Sequence, residues 1–157
     1  MPTGYRVRVH EPVTAPASPP DPNSDPECLF CKIIAGEIGS RTVYADEHAV
    51  AFLNVSPWQR GHTLVVPREH VVDLVSGSPT LARIGPAIDA TSRLLVDKLG
   101  ADGLNLLSSA GAAAGQEVFH LHVHLIPRYR ERPGLANLRS GEGDDTDPDE
   151  LLRLLTG

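Results

Sequence analysis

The pattern of apolar and polar positions predicts several short strands in the middle of the chain. Four runs are rich in Val, Leu, Phe or Tyr and are separated by turn residues, which is typical of strands. Short loops favour antiparallel neighbours and exclude a doubly wound parallel sheet, so the predicted class is α+β. The four predicted strands are 41–46, 49–54, 61–68 and 103–109.

One long helix is predicted over residues 78–99, because its apolar positions recur at helical spacing. Ser78 is a suitable N-cap, Pro79 suits the first helical position and Gly100 can end the helix. Pro86 lies inside this range and predicts a kink. The apolar positions are Leu81, Ile84, Ile88, Leu95 and Leu99.

The two ends of the chain differ in composition from its middle. Residues 1–27 hold half of the 14 prolines and are predicted to be an extended or disordered leader. The folded domain is predicted over 28–130, beginning with a short helical turn or knuckle that ends at Gly36. Residues 131–157 form an acidic tail, with a short closing helix predicted at 149–155 and Asp147 as its N-cap.

Three histidines occupy every second position in 119-FHLHVHLIPR-128. On a strand, His120, His122 and His124 would share one face, and the leucines and valine between them would line the core. Pro127 is predicted to end this strand. Three imidazoles on one face could bind one catalytic metal ion, bind an anion, act in nucleophilic and acid–base chemistry, or simply face solvent. A catalytic metal is less favoured, because Glu117 is the only nearby acid that could serve as its base.

Cys28 and Cys31 are the only cysteines, and they are separated by two residues. Such a pair is half of a zinc site, a redox dithiol, or two buried thiols without a role. A zinc site would need two histidines, for which His70 and one member of the triple are candidates. The glycine-rich loop 110–116 precedes the triple and is either a phosphate cradle or a flexible turn.

Overall charge narrows the classes of partner. The 157-residue chain is 41% hydrophobic, has a net charge of −6 and suits one domain. Its acidity argues against binding to nucleic acid backbones or anionic membranes, although a single phosphorylated ligand could still be bound locally. The chain has no apolar run of the roughly 20 residues a membrane helix needs and no apolar signal core, so a cytoplasmic location is expected.

Together these stretches closely resemble the HIT (histidine triad) family of nucleotide hydrolases and transferases, and most of all its Hint-like bacterial branch. The matching motifs are CLFCKIIAGEI, VYADEHAVAFLNVSP, GHTLVVPREH and AGQEVFHLHVHLIPR, which span about 28–128. The resemblance implies a homodimer of α+β subunits, each with a five-stranded antiparallel sheet, one long helix and short helices, and with the two sheets joined across the interface. It also implies cleavage at the α-phosphorus of a purine nucleotide such as an AMP conjugate. His124 stands where the transferase branch has glutamine, which favours a hydrolase.

The resemblance also implies roles for individual residues. His122 matches the nucleophile, which attacks through Nε2 to form a nucleotidyl-histidine, with a backbone carbonyl expected on its Nδ1–H. His124 and Gln116 match contacts to the phosphate, and Asn54 matches a contact to the ribose. The implied walls of the base pocket are Phe30, Ile34, Phe52, His62 and Leu64. The zinc-containing members bind one structural ion per chain through residues that match Cys28, Cys31, His70 and His120.

Three positions depart from the family pattern. Ser109 stands where many members have asparagine, which puts one contact near the phosphate in doubt. Asn54 replaces a frequent aspartate, so the ribose contact would lose its charge. Glu117 replaces a frequent Ser or Thr, and its carboxylate should disfavour anionic polyphosphate leaving groups. We therefore expect a phosphoramidase; the alternatives are a dinucleoside polyphosphate hydrolase and a non-catalytic, zinc-stapled nucleotide-binding module.

Overall fold

The structure, a computed structural model, describes residues 23–131. It confirms the α+β class, with helices beside one five-stranded sheet. The predicted leader lies outside the described residues except for its last five positions. The predicted acidic tail and its helix also lie outside them, except for residue 131. In chain order the elements are α1 (Leu29–Ile34), β1 (Thr42–Ala45), β2 (Ala49–Leu53), β3 (Thr63–Pro67), α2 (Ser78–Arg83), α3 (Gly85–Leu99), β4 (Gly103–Leu107), a 3-10 turn (Ala112–Ala114) and β5 (Val123–Arg128).

The strands form an antiparallel sheet in the order β1-β2-β3-β5-β4. The chain enters the sheet at one edge, leaves after β3 to form α2 and α3, and returns to build the other edge from β4. β5 then inserts between β4 and β3, where Leu64 lies opposite His124. This insertion brings the histidine stretch to the middle of the sheet.

The two faces of the sheet carry different packing. On one face, Ala49 and Ala51 of β2 and Val65 of β3 pack with Val123 and Leu125 of β5 against α3. On the opposite face, Val50 and Phe52 of β2 join Leu64 and Val66 of β3 in a second apolar cluster that includes α1. Residues in a strand alternate between the faces, so His124, beside Leu64, belongs to the α1 side.

The predicted long helix has the expected outer bounds, but it is not continuous and its N-cap is one residue earlier than predicted. The region forms two helices that are broken at Ile84, because Pro86 has no N–H and its ring would clash with the carbonyl of Ala82. Ser78 is the first helical residue rather than the N-cap, which is Gly77, so Pro79 moves to the second position. Gly100 ends the second helix in the left-handed conformation, with φ 64°, as predicted.

The predicted histidine strand is wrong at both ends. β5 begins only at Val123, because Leu121 donates its N–H to Val71 O instead of to a neighbouring strand. His120 and His122 therefore lie in an extended segment before the strand. Pro127 lies inside β5 instead of ending it. β5 pairs with β3 only as far as Leu125, so Pro127 has β4 as its one neighbouring strand. A residue without an N–H is tolerated there because one side of the strand needs no hydrogen bond.

Among residues 23–131, no helix combines the length and the apolarity needed to cross a membrane.

Candidate active site and metal centre

The histidines gather on the sheet face that α1 covers. Phe30 of α1 lies edge-on to the rings of His120 and His122, with centroids 5.9 and 5.2 Å away. Phe30 is also edge-on to Phe52 at 5.7 Å. Of the residues predicted to wall a base pocket, four therefore meet in one apolar cluster beside the histidines: Phe30, Ile34, Phe52 and Leu64.

Cys28, Cys31, His70 and His120 come together at the start of α1, with one donor atom from each within 4.8 Å of all the others. The Sγ atom of Cys28 lies 3.4 Å from Nδ1 of His120, and that of Cys31 lies 3.3 Å from Nδ1 of His70. Cys31 Sγ is also 3.6 Å from Nδ1 of His120. The Nδ1 atoms of the two histidines are 3.2 Å apart. The structure thus joins residues that are as much as 92 positions apart in the sequence.

These distances fit a tetrahedral metal ion. With ordinary zinc bond lengths, a tetrahedron has sulfur–nitrogen edges of about 3.6 Å and a nitrogen–nitrogen edge of about 3.3 Å. His120 also presents the correct nitrogen, because its Nε2–H donates to Pro67 O at 3.0 Å and leaves the Nδ1 lone pair toward the cysteines. Burial raises the pKa of the Cys28 thiol, so a thiolate in this position needs a nearby cation. The group is therefore suited to hold a metal ion.

His122 is held in one orientation and one tautomer. Its Nδ1 lies 2.7 Å from the carbonyl oxygen of His120, which can only accept, so Nδ1 carries the proton and Nε2 carries the lone pair. The hydrogen bond expected from the sequence is present. The backbone of His122 is held as well, because the hydroxyl of Ser108 donates to the carbonyl oxygen of His122 at 2.8 Å. Burial lowers the pKa of His122, so the neutral ring is favoured near neutral pH.

His124 forms a chain of hydrogen bonds with His62 and the loop before β3. The backbone N–H of Trp58 donates to Nδ1 of His62 at 3.1 Å, so the proton of neutral His62 is on Nε2. That Nε2–H donates to Nδ1 of His124 at 2.9 Å. Neutral His124 must therefore carry its own proton on Nε2. One backbone N–H thus determines the tautomers of two histidines in sequence.

Burial keeps this pair neutral. It lowers the pKa of His62 to about 4, with a smaller contribution from the charge of Arg128. Burial lowers the pKa of His124 to about 4 as well, helped by the neighbouring His122 and His62. Rings of His122 and His124 meet edge to face with centroids 5.0 Å apart. At neutral pH the face therefore presents a lone pair on His122 and an N–H donor on His124.

Gln116 braces the loop that precedes the histidines. Its Oε1 accepts from the backbone of Gly111 at 2.8 Å, while its Nε2 donates to Val72 O at 2.6 Å and to Val118 O at 3.1 Å. The side chain is only 4% exposed. Both amide hydrogens are used inside the protein, so the predicted contact of Gln116 with a phosphate stays a prediction.

The remaining predicted site residues occupy more open positions. Asn54 directs its Nδ2 toward the ring of His62 at 3.4 Å, and its Oδ1 accepts from Ser56 N at 3.0 Å. Ser109 is half-buried after β4, and Glu117 is exposed beside Gln116. His62, by contrast, is buried and lies against His124, and its predicted place in the wall of the base pocket stays a prediction.

Sequence reasoning missed two residues of the site. Ser108 follows the last residue of β4, where strand alternation no longer indicates which of the two neighbouring serines reaches the histidine stretch. Trp58 stacks on His124 with ring centroids 5.1 Å apart and an interplanar angle of 8°. The chain has one tryptophan, in a predicted loop, and an aromatic residue four positions before a histidine was a signal available in the sequence.

Neutral histidines oriented by backbone groups thus lie beside an apolar cluster and a Cys2His2 group, and an unprotonated imidazole nitrogen can act as a nucleophile. Comparisons with known proteins identify the class of the protein. The HIT domain family matches residues 35–131. The Protein hit of Bacillus subtilis is 42% identical over 128 residues, which are 81% of this chain and 88% of that protein. The crystal structure of a HIT family member from Bacillus subtilis has a TM-score of 0.72, with 39% identity, and covers 83% of this chain and 93% of that one.

The chain belongs to the HIT family, whose members bind nucleotides and include hydrolases. A further relative is named Adenylylsulfatase HINT3, from Arabidopsis thaliana. It is 39% identical over 103 residues, which are 65% of this chain and 52% of that protein.

Proposed function

We propose that the protein is a nucleotidyl hydrolase that cleaves AMP conjugates, and phosphoramidates in particular, through a covalent intermediate on His122. The observation that supports this most directly is the hydrogen bond from His122 Nδ1 to the carbonyl of His120 at 2.7 Å. It keeps the lone pair on Nε2, and a histidine can act as a nucleophile only through an unprotonated nitrogen.

In the first step, Nε2 of His122 attacks the α-phosphorus and the bond to the leaving group breaks. A leaving amine takes up a proton from water as it departs. The imidazole gains positive charge while it carries the nucleotide, and the Nδ1–H bond to the His120 carbonyl becomes stronger because its donor is charged. Water then attacks the same phosphorus and loses a proton to the solvent. A new P–O bond forms as the bond from phosphorus to Nε2 of His122 breaks, which releases AMP and regenerates the neutral imidazole.

His124 is proposed to donate its Nε2–H to a nonbridging oxygen of the phosphoryl group. The tautomer that His62 imposes on His124 supplies this donor without a net charge. A donor that is already oriented stabilises the charge that develops in the transition state. Gln116 and Ser109 are proposed to complete the phosphate side, with Gln116 acting through the backbone of the loop it braces.

The nucleoside is proposed to lie against the apolar cluster beside the histidines. Phe30, Phe52 and Leu64 are each less than 7% exposed and form a fixed wall, to which Ile34 adds a partly buried edge. Asn54, at the end of β2, is proposed to contact the ribose hydroxyls. A purine is proposed as the base, as the family resemblance implies.

One structural zinc ion is proposed at Cys28, Cys31, His70 and His120. When bound, zinc would supply a cross-link between α1 and the histidine stretch, and it would compensate the charge of the cysteine thiolates. His120 links the two sites, because its ring faces the cysteines while its carbonyl accepts the bond from His122.

Leaving-group preference is proposed to depend on Glu117, which is exposed next to Gln116. Its negative charge should repel an anionic polyphosphate and tolerate an amine. Replacing Glu117 with Ser should lower the ratio of phosphoramidate to diadenosine tetraphosphate turnover, whereas Glu37→Ser, an exposed glutamate distant in sequence, should not. An unchanged ratio in Glu117→Ser would remove this explanation.

A second candidate substrate is adenylyl sulfate, because one relative is named an adenylylsulfatase. The same attack on the α-phosphorus would then release sulfate instead of an amine. A homodimer is also proposed, as the resemblance implies, and sedimentation of the purified protein would test it. The cytoplasmic location and the domain boundaries stay predictions.

The experiment is AMP release from four substrates, measured with the wild-type protein and with His122→Ala. The substrates are adenosine phosphoramidate, adenylyl sulfate, and diadenosine tri- and tetraphosphate. We expect the phosphoramidate to be cleaved fastest and His122→Ala to be inactive on all four. Tight AMP binding without turnover of any substrate would instead indicate a zinc-stapled binding module.

A further inference from the structure

Trp58 is the only large aromatic side chain in the loop between β2 and β3, and it lies over the end of the histidine site. Its indole is parallel to the His124 ring within 8°, at a centroid distance of 5.1 Å. It also contacts His62, with centroids 4.9 Å apart. Even so, 57% of the residue remains exposed. These two ring contacts help to hold the largely exposed indole in place.

We propose that Trp58 is a positioning residue for His124, holding the plane of its ring so that the Nε2–H donor meets the phosphoryl group at a fixed angle. This role rests on the proposed function, since it presumes that His124 acts on a phosphoryl oxygen.

Two contacts of different geometry are needed to fix a planar ring. The hydrogen bond from His62 Nε2 to His124 Nδ1 acts in the plane of the ring and sets the direction in which Nδ1 points. That bond still tolerates moderate rotation of the ring about its Cβ–Cγ bond, because hydrogen bonds weaken steeply only at large departures from linearity. Stacking acts perpendicular to the plane and opposes this rotation. Trp58 therefore restrains the motion that the hydrogen bond from His62 does not.

Trp58 also supports the hydrogen bond itself. Its backbone N–H donates to Nδ1 of His62 at 3.1 Å, which assigns the proton of His62 to Nε2. The indole holds the loop against the two rings, so the N–H stays in range. A substitution of the side chain should thus loosen both the plane and the tautomer of His124. Phenylalanine should preserve much of the effect, because it keeps an aromatic face.

The experiment compares Trp58→Ala and Trp58→Phe with Val55→Ala, a control in the same loop whose residue is 87% exposed. With adenosine phosphoramidate as substrate, we expect Trp58→Ala to lower kcat about tenfold while KM changes by less than about twofold. We expect Trp58→Phe to recover most of this loss and Val55→Ala to match the wild type. Wild-type kcat in Trp58→Ala, or no recovery in Trp58→Phe, would overturn the proposal.

A second readout does not depend on turnover. Nitrogen-15 shifts of the imidazole rings report which nitrogen of His124 carries the proton. We expect the Nε2–H tautomer in the wild type and a mixture of tautomers in Trp58→Ala; identical shifts in the two would overturn the proposal. If the wild type turned over no substrate, the proposed function would fail, and with it the catalytic part of this role. The shifts would still show whether Trp58 restrains His124.

Discussion

Replacing Ser108 with alanine should weaken the anchor of the catalytic segment. The hydroxyl of Ser108 donates to the carbonyl of His122 at 2.8 Å, across the gap between the end of β4 and the stretch before β5. His122 is only 7% exposed, so water has little room to replace the lost donor. The substitution removes one hydroxyl and keeps the rest of the side chain, which isolates this hydrogen bond.

The expected loss follows from the environment of that bond. A neutral intramolecular hydrogen bond contributes about 1 kcal/mol, and a buried acceptor left without a donor costs about 1–3 kcal/mol. Ser108 is half-buried, so some water can reach the gap, and we expect a loss of about 1–2 kcal/mol. With a urea m-value of about 2 kcal/mol/M, the middle of the usual range, the unfolding midpoint should fall by about 0.5–1 M.

The assay is urea denaturation followed by circular dichroism, with Ser109→Ala as the matched control. Ser109 has the same side chain and is also half-buried, but no hydrogen bond joins it to His122. Its replacement should change the free energy of unfolding by less than about 0.5 kcal/mol. The same shift in both variants, or a larger one in Ser109→Ala, would refute the reasoning. The kcat of Ser108→Ala should also fall, because His122 loses one of the two hydrogen bonds that hold it, the one to its carbonyl oxygen.

Three further predictions follow from the metal group, the buried histidines and a tight turn. Cys31→Ser should abolish the binding of one zinc ion per chain by metal analysis and lower the melting temperature, whereas a chelator should lower that temperature only in the wild type. Burial lowers the pKa of His62 from 6.5 to about 4, so the unfolded state binds more protons between these values. The stability that His62 contributes is complete above pH 6.5 and is lost as the pH falls toward 4, by about 2 kcal/mol at pH 5. Urea denaturation at pH 7 and pH 5 should show a smaller difference in His62→Phe than in the wild type. Gly61→Ala should be destabilising, because φ is +82° and the new Cβ would force the Leu99 side chain to move; Gly39→Ala, with open space around it, is the control for thermal melting.

The local pattern of apolar and polar residues was enough to predict most strand positions. In these strands apolar residues either alternate with polar ones or run without interruption, and turn residues mark the ends. The positions of β1, β2 and β3 agree with the predicted strands to within two residues at each end. The start of β5 could not be predicted in this way, since it depends on where the N–H of Leu121 finds its acceptor, at Val71 O, about fifty positions earlier. The break at Ile84 was signalled by Pro86 but was expected to be only a kink.

The candidate site shows the same division. The spacing of the cysteines left a metal site as one of three interpretations, and the family resemblance implied its four ligands; the structure brings those four residues together. The pairing of His62 with His124 spans 62 positions and has no local signature, so the sequence did not predict it. The choice between Ser108 and Ser109 depends on which face of the chain each presents after β4 ends, and periodicity does not define that face in a loop.

The most direct test of the central claim is to locate the covalent intermediate. Protein mixed with adenosine phosphoramidate would be quenched within one turnover at alkaline pH, digested and mapped by mass spectrometry. The account predicts AMP attached to His122 in the wild type and no attached AMP in His122→Ala. Attachment to His124, or rapid turnover by the His122→Ala protein, would contradict it.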